Sequence, residues 1–413
     1  MARPSNIAKA LLTLALLACV SALSLNAGFY KWSIVDVFMA LSLGAALVTL
    51  AVVQPSWVNF AGVAACALIF AEFDYHVMGF PFRSMAPFAF AGLGSLAVLG
   101  MRSIWARQPE RTLLLYAFVP SIIFVASEYF SPALMTYTET LHPKTFDLYL
   151  YSFDCSLRVQ FSFLVGQLFA RHGWLAFTGL LFYIALPLPL ALVYAANLRV
   201  RGKAALHVML AFLITGPLGV VFYNLVSATG PIHLFGANFP WHPLTTAQAM
   251  NLILETVPVR GARNAIPSLH MAWVLLIWWN SWGLPRWVRA IALTFLVFTV
   301  LATLGIGEHY FVDLVVAFPF ALMVQAMCLY PQPFHASFRR PALLFGVFGT
   351  LAWMAALSFA TPWFWISPTI PWALVIATIS TSSWLAYHLR RVEPCAASPT
   401  LELVQDARAL TAV

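Results

Sequence analysis

The chain reads as an all-α membrane protein, a polytopic bundle of about 12 transmembrane helices. Three observations predict this. Hydrophobic residues fill 62% of the 413 positions and charged residues only 9%, a balance foreign to a soluble domain of this length. Apolar stretches of about 20 residues, the length of one bilayer crossing, recur along the chain. Lys and Arg gather in alternate loops, as they do where loops stay cytoplasmic.

The apolar stretches run from Ile7 to Phe29, Ile34 to Val53, Trp57 to Phe73, Met85 to Ile104, Thr112 to Phe130 and Trp174 to Ala196. They continue from Ala205 to Ser227, Pro267 to Trp282, Trp287 to Leu304, His309 to Leu329, Pro341 to Phe359 and Pro371 to Tyr387. The first follows Arg3 and Lys9 and ends in the small residues of Leu25-Asn26-Ala27-Gly28, which a cleaved leader would also do. Its length is enough to span, and an uncleaved helix fits the charge alternation, so retention is the expectation.

One set of loops holds Arg3, Lys9, Arg102, Arg107, Arg111, Arg199, Arg201, Lys203, Arg286, Arg289, Arg339, Arg340, Arg390 and Arg391. The opposite set holds Lys31, Arg83, Lys144, Arg158, Arg171, Arg260 and Arg263. Both termini are therefore expected in the cytoplasm, and the loops carrying His270 and His309 on the periplasmic, extracellular or lumenal side. The net charge of +8 serves orientation. No basic stripe suits a nucleic acid.

Two regions break the pattern of spans and short loops. Between Ser131 and Gly173, Phe146, Leu150, Phe153, Leu157 and Phe161 recur at helical spacing among Lys144, Asp147, Asp154, Arg158 and Gln160. This predicts an amphipathic helix over about 145–168, lying in the outer interface. The second region, about 228–265, is rich in Gly, Pro and His and predicts a long outer loop of the kind that covers or binds.

Cys19, Cys66, Cys155, Cys328 and Cys395 are scattered without the paired spacing of a metal site or disulfide framework. The chain has no Gly-rich phosphate loop and no His-Glu-x-x-His motif. No cofactor and no metal ligands are expected.

Chemistry concentrates between Arg260 and Asp313. Ionisable groups near a bilayer are costly, so a cluster at helix ends points to function. His309 and Asp313, four residues apart at a helix start, share one face. A carboxylate there can accept the Nδ1 proton of His309 and leave Nε2 free as nucleophile or base. His270 begins another helix after Pro267-Ser268, and the turn from Leu284 to Arg289 returns the chain so that both helix starts meet on one side. That helix start, with Ser268, suits a phosphate. Arg260 and Arg263 can clamp its oxygens, although a snorkelling pair at the interface reads the same way. Lys144 and Arg158 are further candidates for reaching the phosphate, or else part of the interfacial polar face with Asp147 and Asp154. Glu308 points away from His309 around the helix and is expected to be solvated or capping.

Pro267-Ser268-Leu269-His270 with His309-Tyr-Phe-Val-Asp313 resembles the signature of the type 2 phosphatidic acid phosphatase superfamily, most closely its inositol phosphorylceramide synthase branch. Leu269 stands where most superfamily phosphatases have Gly, and Ala302-Thr303 where they have Ser-Arg, departures shared in kind by the synthases. The superfamily's first motif, Lys followed by Arg-Pro, has no clear match. The resemblance covers roughly Leu113 to Tyr330; Phe146-Asp147, Phe153-Asp154 and Gly230-Pro231 are similar to accessory segments of that branch.

The resemblance implies a six-helix catalytic core over 111–332; the four-span accessory bundle over 1–110, the two spans over 333–390 and the cytoplasmic tail over 391–413 are read from the apolar stretches and loop charges and lie outside it. The resemblance also implies a metal-independent double displacement: His309 attacks phosphorus, Asp313 orients it, and His270 protonates the leaving oxygen. The substrate would be a phospholipid or lipid phosphate and, for a transferase, the acceptor a lipid alcohol. Hydrolysis of a lipid phosphate or polyprenyl diphosphate is the alternative. A transporter or scaffold is less favoured, because the polar residues sit at helix ends and not at broken helices near the midplane.

Overall fold

The computed structural model describes residues 34–78, 86–329 and 338–391. The expected first span and the C-terminal tail beyond 391 lie outside the described residues. Apolar stretches become helices wherever the sequence predicts them among the described residues, because in a bilayer each backbone polar group must be satisfied within its own segment.

In chain order the helices are α1 (Ile34–Val53), α2 (Trp57–Phe73), α3 (Ala86–Trp105) and α4 (Glu110–Leu141), then α5 (Asp147–Ser156), α6 (Phe161–Arg171), α7 (Gly173–Ile184), α8 (Pro187–Arg201) and α9 (Leu206–Tyr223). After the short α10 (Pro231–Phe235) and α11 (Thr246–Met250) come α12 (Leu269–Ser281), α13 (Arg286–Gly305), α14 (Phe311–Cys328), α15 (Arg339–Phe359) and α16 (Thr369–Arg391). Strand β1 (Lys144–Thr145) pairs antiparallel with β2 (Val257–Pro258), Lys144 opposite Pro258.

Eight helical segments among the described residues are long and apolar enough to cross a membrane. The protein is thus all-α and suited to multiple crossings. This count covers the described residues alone, so the first expected span lies outside it; elsewhere the difference from twelve has local causes. The segment from Pro187 to Tyr223 runs on through a 3-10 turn and joins parts of two predicted spans. The stretch from Trp174 to Ala196 is broken at Ala185 and Leu186, ahead of Pro187 and Pro189, as expected where proline removes a helical N–H. Helices α7 and α12 are shorter than a crossing needs.

The chain divides into two compact units that differ from the sequence segmentation. Among the described residues, the first comprises those within 34–130 and 184–209, and the second those within 131–183 and 210–391. In the first, α1 packs against α3 and α8, and α2 against α3. A Cβ on Gly92 of α3 would meet the Leu43 backbone at 2.2 Å, so these helices touch backbone to backbone, as small residues allow in membranes. Large apolar side chains of α2, including Trp57, Leu68 and Ile69, remain exposed and suit a lipid-facing surface.

In the second unit α14 is the central helix, packed by α12, α15 and α16. Its apolar window is 83% buried, against 11% for that of α2. Helices α15 and α16, segmented in the sequence as two separate spans, are therefore part of the unit that carries the His309 motif.

The expected interfacial helix over about 145–168 is corrected. It is two helices separated at Leu157 to Gln160, and α5 is buried at Asp147 and from Leu150 to Ser156. Its polar residues face inward because backbone amides await them there.

Candidate active site

The site is assembled where α12 and α14 begin. Ser268 is the N-cap of α12, its Oγ accepting from the Met271 N–H, the usual way a helix start satisfies one free donor. The Ser268 N–H donates to the Asp313 backbone oxygen at 3.2 Å, tying the start of α12 to the first turn of α14. At the start of α14 the Asp313 Oδ2 accepts the Tyr310 N–H at 2.8 Å. The next two amides, of Phe311 and Val312, donate to the Asp154 carboxylate at 2.7 and 3.1 Å. Burial raises the pKa of Asp154 while these amide donors pull it down.

His309 is 2% exposed. Its Nδ1 lies 2.9 Å from the Ala265 carbonyl oxygen and 3.5 Å from Asp313 Oδ2. A carbonyl can only accept, so Nδ1 carries the hydrogen and Nε2 holds the lone pair. This geometry favours the tautomer that the sequence reading expects, with Ala265 as the nearest acceptor and Asp313 as the adjacent charge. Nε2 faces the Ser268 hydroxyl at 3.2 Å. The His309 carbonyl accepts from Ser162 Oγ at 2.8 Å, anchoring the backbone as well as the ring.

His270 lies in the first turn of α12, stacked on Tyr183 with ring centroids 3.7 Å apart, and within electrostatic range of His309. The structure thus brings together His309, Asp313, Ser268 and His270.

Arg263 is 1% exposed. Its Nε donates to the His142 carbonyl at 2.8 Å, its guanidinium also bonds the Gly261 carbonyl, and its own N–H donates to Thr138. Burial lowers its pKa, with Glu139 and Asp147 acting in the opposite sense. Its hydrogen-bonding partners are neutral oxygens. A buried guanidinium on the strand of chain leading to Ala265 is a cation held in place without a carboxylate hydrogen bond. Arg260 and Lys144 are exposed, and Arg158 sits over the Trp365 ring at 5.1 Å. None of these three makes a hydrogen bond to the His309 cluster among the described residues.

Asp147 was legible as a candidate polar-face residue, but not its role. It is fully buried and accepts from the Thr229 N–H and hydroxyl, the Gly230 N–H, and the Tyr310 hydroxyl at 2.9 Å. This clamps the start of the outer loop to the residue following His309. Gly230 has φ +111°, and a Cβ there would stand 2.3 Å from the Glu308 carbonyl oxygen; only glycine fits both conditions. Glu308 is partly exposed and 3.6 Å from His233. The neighbouring Glu308 carboxylate raises the His233 pKa, against the effect of burial.

The departures from the phosphatase pattern have packing counterparts. Leu269 is 6% exposed and fills the space over Gly219, where a Cβ would lie 2.4 Å from its Cδ2. Ala302 and Thr303 are fully buried within α13, and the Thr303 hydroxyl bonds the Thr299 carbonyl. No cation occupies either position.

A family model described as the PAP2 superfamily matches residues 148–327. No curated protein and no solved structure matches the chain. The match supports the superfamily and, with it, a function of the lipid phosphatase or phosphotransferase type. The synthase branch is a finer distinction than this match makes.

Proposed function

We propose that this chain with its PAP2 superfamily segment is an integral-membrane phosphotransferase working through a phosphohistidine. It moves a phospho-head-group from a phospholipid to a lipid hydroxyl, in the manner of inositol phosphorylceramide synthases. The observation that carries the reading is the His309 ring, buried and held by Ala265 as the Nδ1–H tautomer with Nε2 directed at Ser268.

In the first step the Nε2 lone pair of His309 forms a bond to phosphorus, the phosphorus–oxygen bond to the leaving alcohol breaks, and His270 gives that oxygen a proton. In the second step His270 takes a proton from the acceptor hydroxyl, whose oxygen bonds phosphorus as the phosphorus–nitrogen bond breaks. Asp313 stabilises charge on the imidazole of His309. Phosphoryl transfer depends mainly on positioning and charge stabilisation. Ser268, Arg263 and the first-turn amides of α12 are assigned to the phosphate oxygens, with Arg260, Lys144 and Arg158 as cations that reach a head-group from outside. Loop charges support a site on the non-cytoplasmic face and cytoplasmic termini.

Transfer is preferred to hydrolysis because Leu269 and Ala302-Thr303 depart from the phosphatase pattern as the synthases do. Incubating the purified protein with a head-group-labelled phospholipid and a lipid alcohol tests the choice. Label in a new lipid product is expected; free phosphate or phospho-alcohol as the sole product refutes transfer.

A further inference from the structure

The two histidines are held in opposite ways. His309 is oriented by hydrogen bonds at both ring nitrogens. The ring of His270 makes no hydrogen bond among the described residues, and its plane is set by aromatic contacts. Tyr183, next to last in α7, lies against it at 3.7 Å between centroids and 16° between planes. Trp273, one turn along α12, meets it edge-on at 5.5 Å and 77°. Trp273 is itself held, its Nε1–H donating to the Phe212 carbonyl at 3.2 Å and its ring stacked on Phe212.

The difference matters chemically. A histidine that is the nucleophile benefits from one fixed tautomer, since Nε2 must always carry the lone pair. A histidine that gives a proton in one step and takes it back in the next must not have a nitrogen committed to a protein acceptor. The imidazole torsion is soft on its own, so such a ring needs its plane fixed by something other than a hydrogen bond. Stacking does this, because a face-to-face aromatic contact restrains tilt while leaving the ring edge open.

We infer that Tyr183 is the positioning residue of His270: it holds the imidazole plane by stacking and leaves both ring nitrogens available for proton transfer. The inference rests on His270 being the acid and base of the reaction proposed above. The Tyr183 hydroxyl makes no hydrogen bond among the described residues, so the ring alone carries the role.

The test compares Tyr183→Leu and Tyr183→Phe in the full-length protein on two phosphodiesters. One has an alkyl leaving group, which needs a proton; the other has a nitrophenyl group, which leaves without one. Tyr183→Leu is expected to slow cleavage of the alkyl ester by about 10- to 100-fold, part of what a general acid contributes, with KM changed little. The first-turnover burst of nitrophenolate stays near wild type, and Tyr183→Phe stays within about twofold on both. In a His270→Ala background Tyr183→Leu adds no further loss, as expected when one residue acts only through the other.

Equal loss on both esters, loss in Tyr183→Phe matching that in Tyr183→Leu, or a further loss in the His270→Ala background each overturns the assignment. His309→Ala runs alongside: retention of its nitrophenolate burst overturns the underlying phosphohistidine reading, whereas its loss together with any of those three results overturns the role of Tyr183 alone.

Discussion

The Nδ1–H of His309 points at the backbone carbonyl of Ala265, 2.9 Å away, while the nearer Asp313 carboxylate oxygen is at 3.5 Å. A backbone carbonyl cannot be removed by a side-chain substitution, so the tautomer outlasts the loss of the carboxylate charge. Asp313→Asn is expected to keep its amide oxygen on the Tyr310 N–H and place its NH2 where Oδ1 has no partner. Turnover should fall by roughly 10- to 100-fold, less than the ~10⁴ loss seen when a triad carboxylate alone sets the tautomer. Steady-state kinetics of the purified variant checks this; a loss as large as that of His309→Ala would show that Asp313 sets the tautomer.

Asp147 is the acceptor for Thr229, Gly230 and Tyr310. Asp147→Ala leaves four buried donors on these three residues without it, a destabilisation on the order of 3 kcal/mol or more. Thermal unfolding in detergent should show a clearly lowered Tm, with Asp147→Asn intermediate because its amide oxygen still accepts. An unchanged Tm for Asp147→Ala contradicts the clamp.

Leu269 and Gly219 share one space. Gly219→Ala should destabilise by about 1–3 kcal/mol through overpacking, and Leu269→Gly by about 3 kcal/mol or more through the cavity it leaves. The double variant should be less unstable than the sum, because the new methyl group enters that cavity. Strict additivity in the double-mutant cycle would show that the two residues do not meet.

The raised pKa of His233, due first to its interaction with the Glu308 carboxylate 3.6 Å away, fixes the sign of a pH effect. Its stabilising contribution is fully present below the unfolded histidine pKa of about 6.5 and fades as pH rises through the higher folded value. The Tm difference between wild type and His233→Gln should therefore shrink from pH 6 to pH 9. A gap that widens over that range contradicts the ion pair.

Helix positions were legible because each crossing repeats one demand, a long apolar run. The starts of α12 and α14 were legible through Ser268, His270, His309 and Asp313, since costly polar residues stand out in an apolar chain. Ala265 was not, because it acts through a carbonyl that every residue type possesses. Tyr183 and Gly219 looked like ordinary members of apolar helices, and their partners are remote in sequence. Asp147 and Asp154, seven residues apart, give a real signal that reads from sequence alone as an interfacial polar face. Their acceptors' role becomes visible only once the Thr229–Gly230 turn and the first amides of α14 are placed against them.

The central claim is a covalent bond between His309 Nε2 and phosphorus. Rapid acid-free quenching of the protein with a phospholipid labelled at phosphorus, followed by peptide mapping, tests it directly. The account predicts label on the peptide containing His309, stable in base and lost in acid, and none in His309→Ala. Undiminished turnover in His309→Ala, or label mapped to another residue in the wild type, contradicts it.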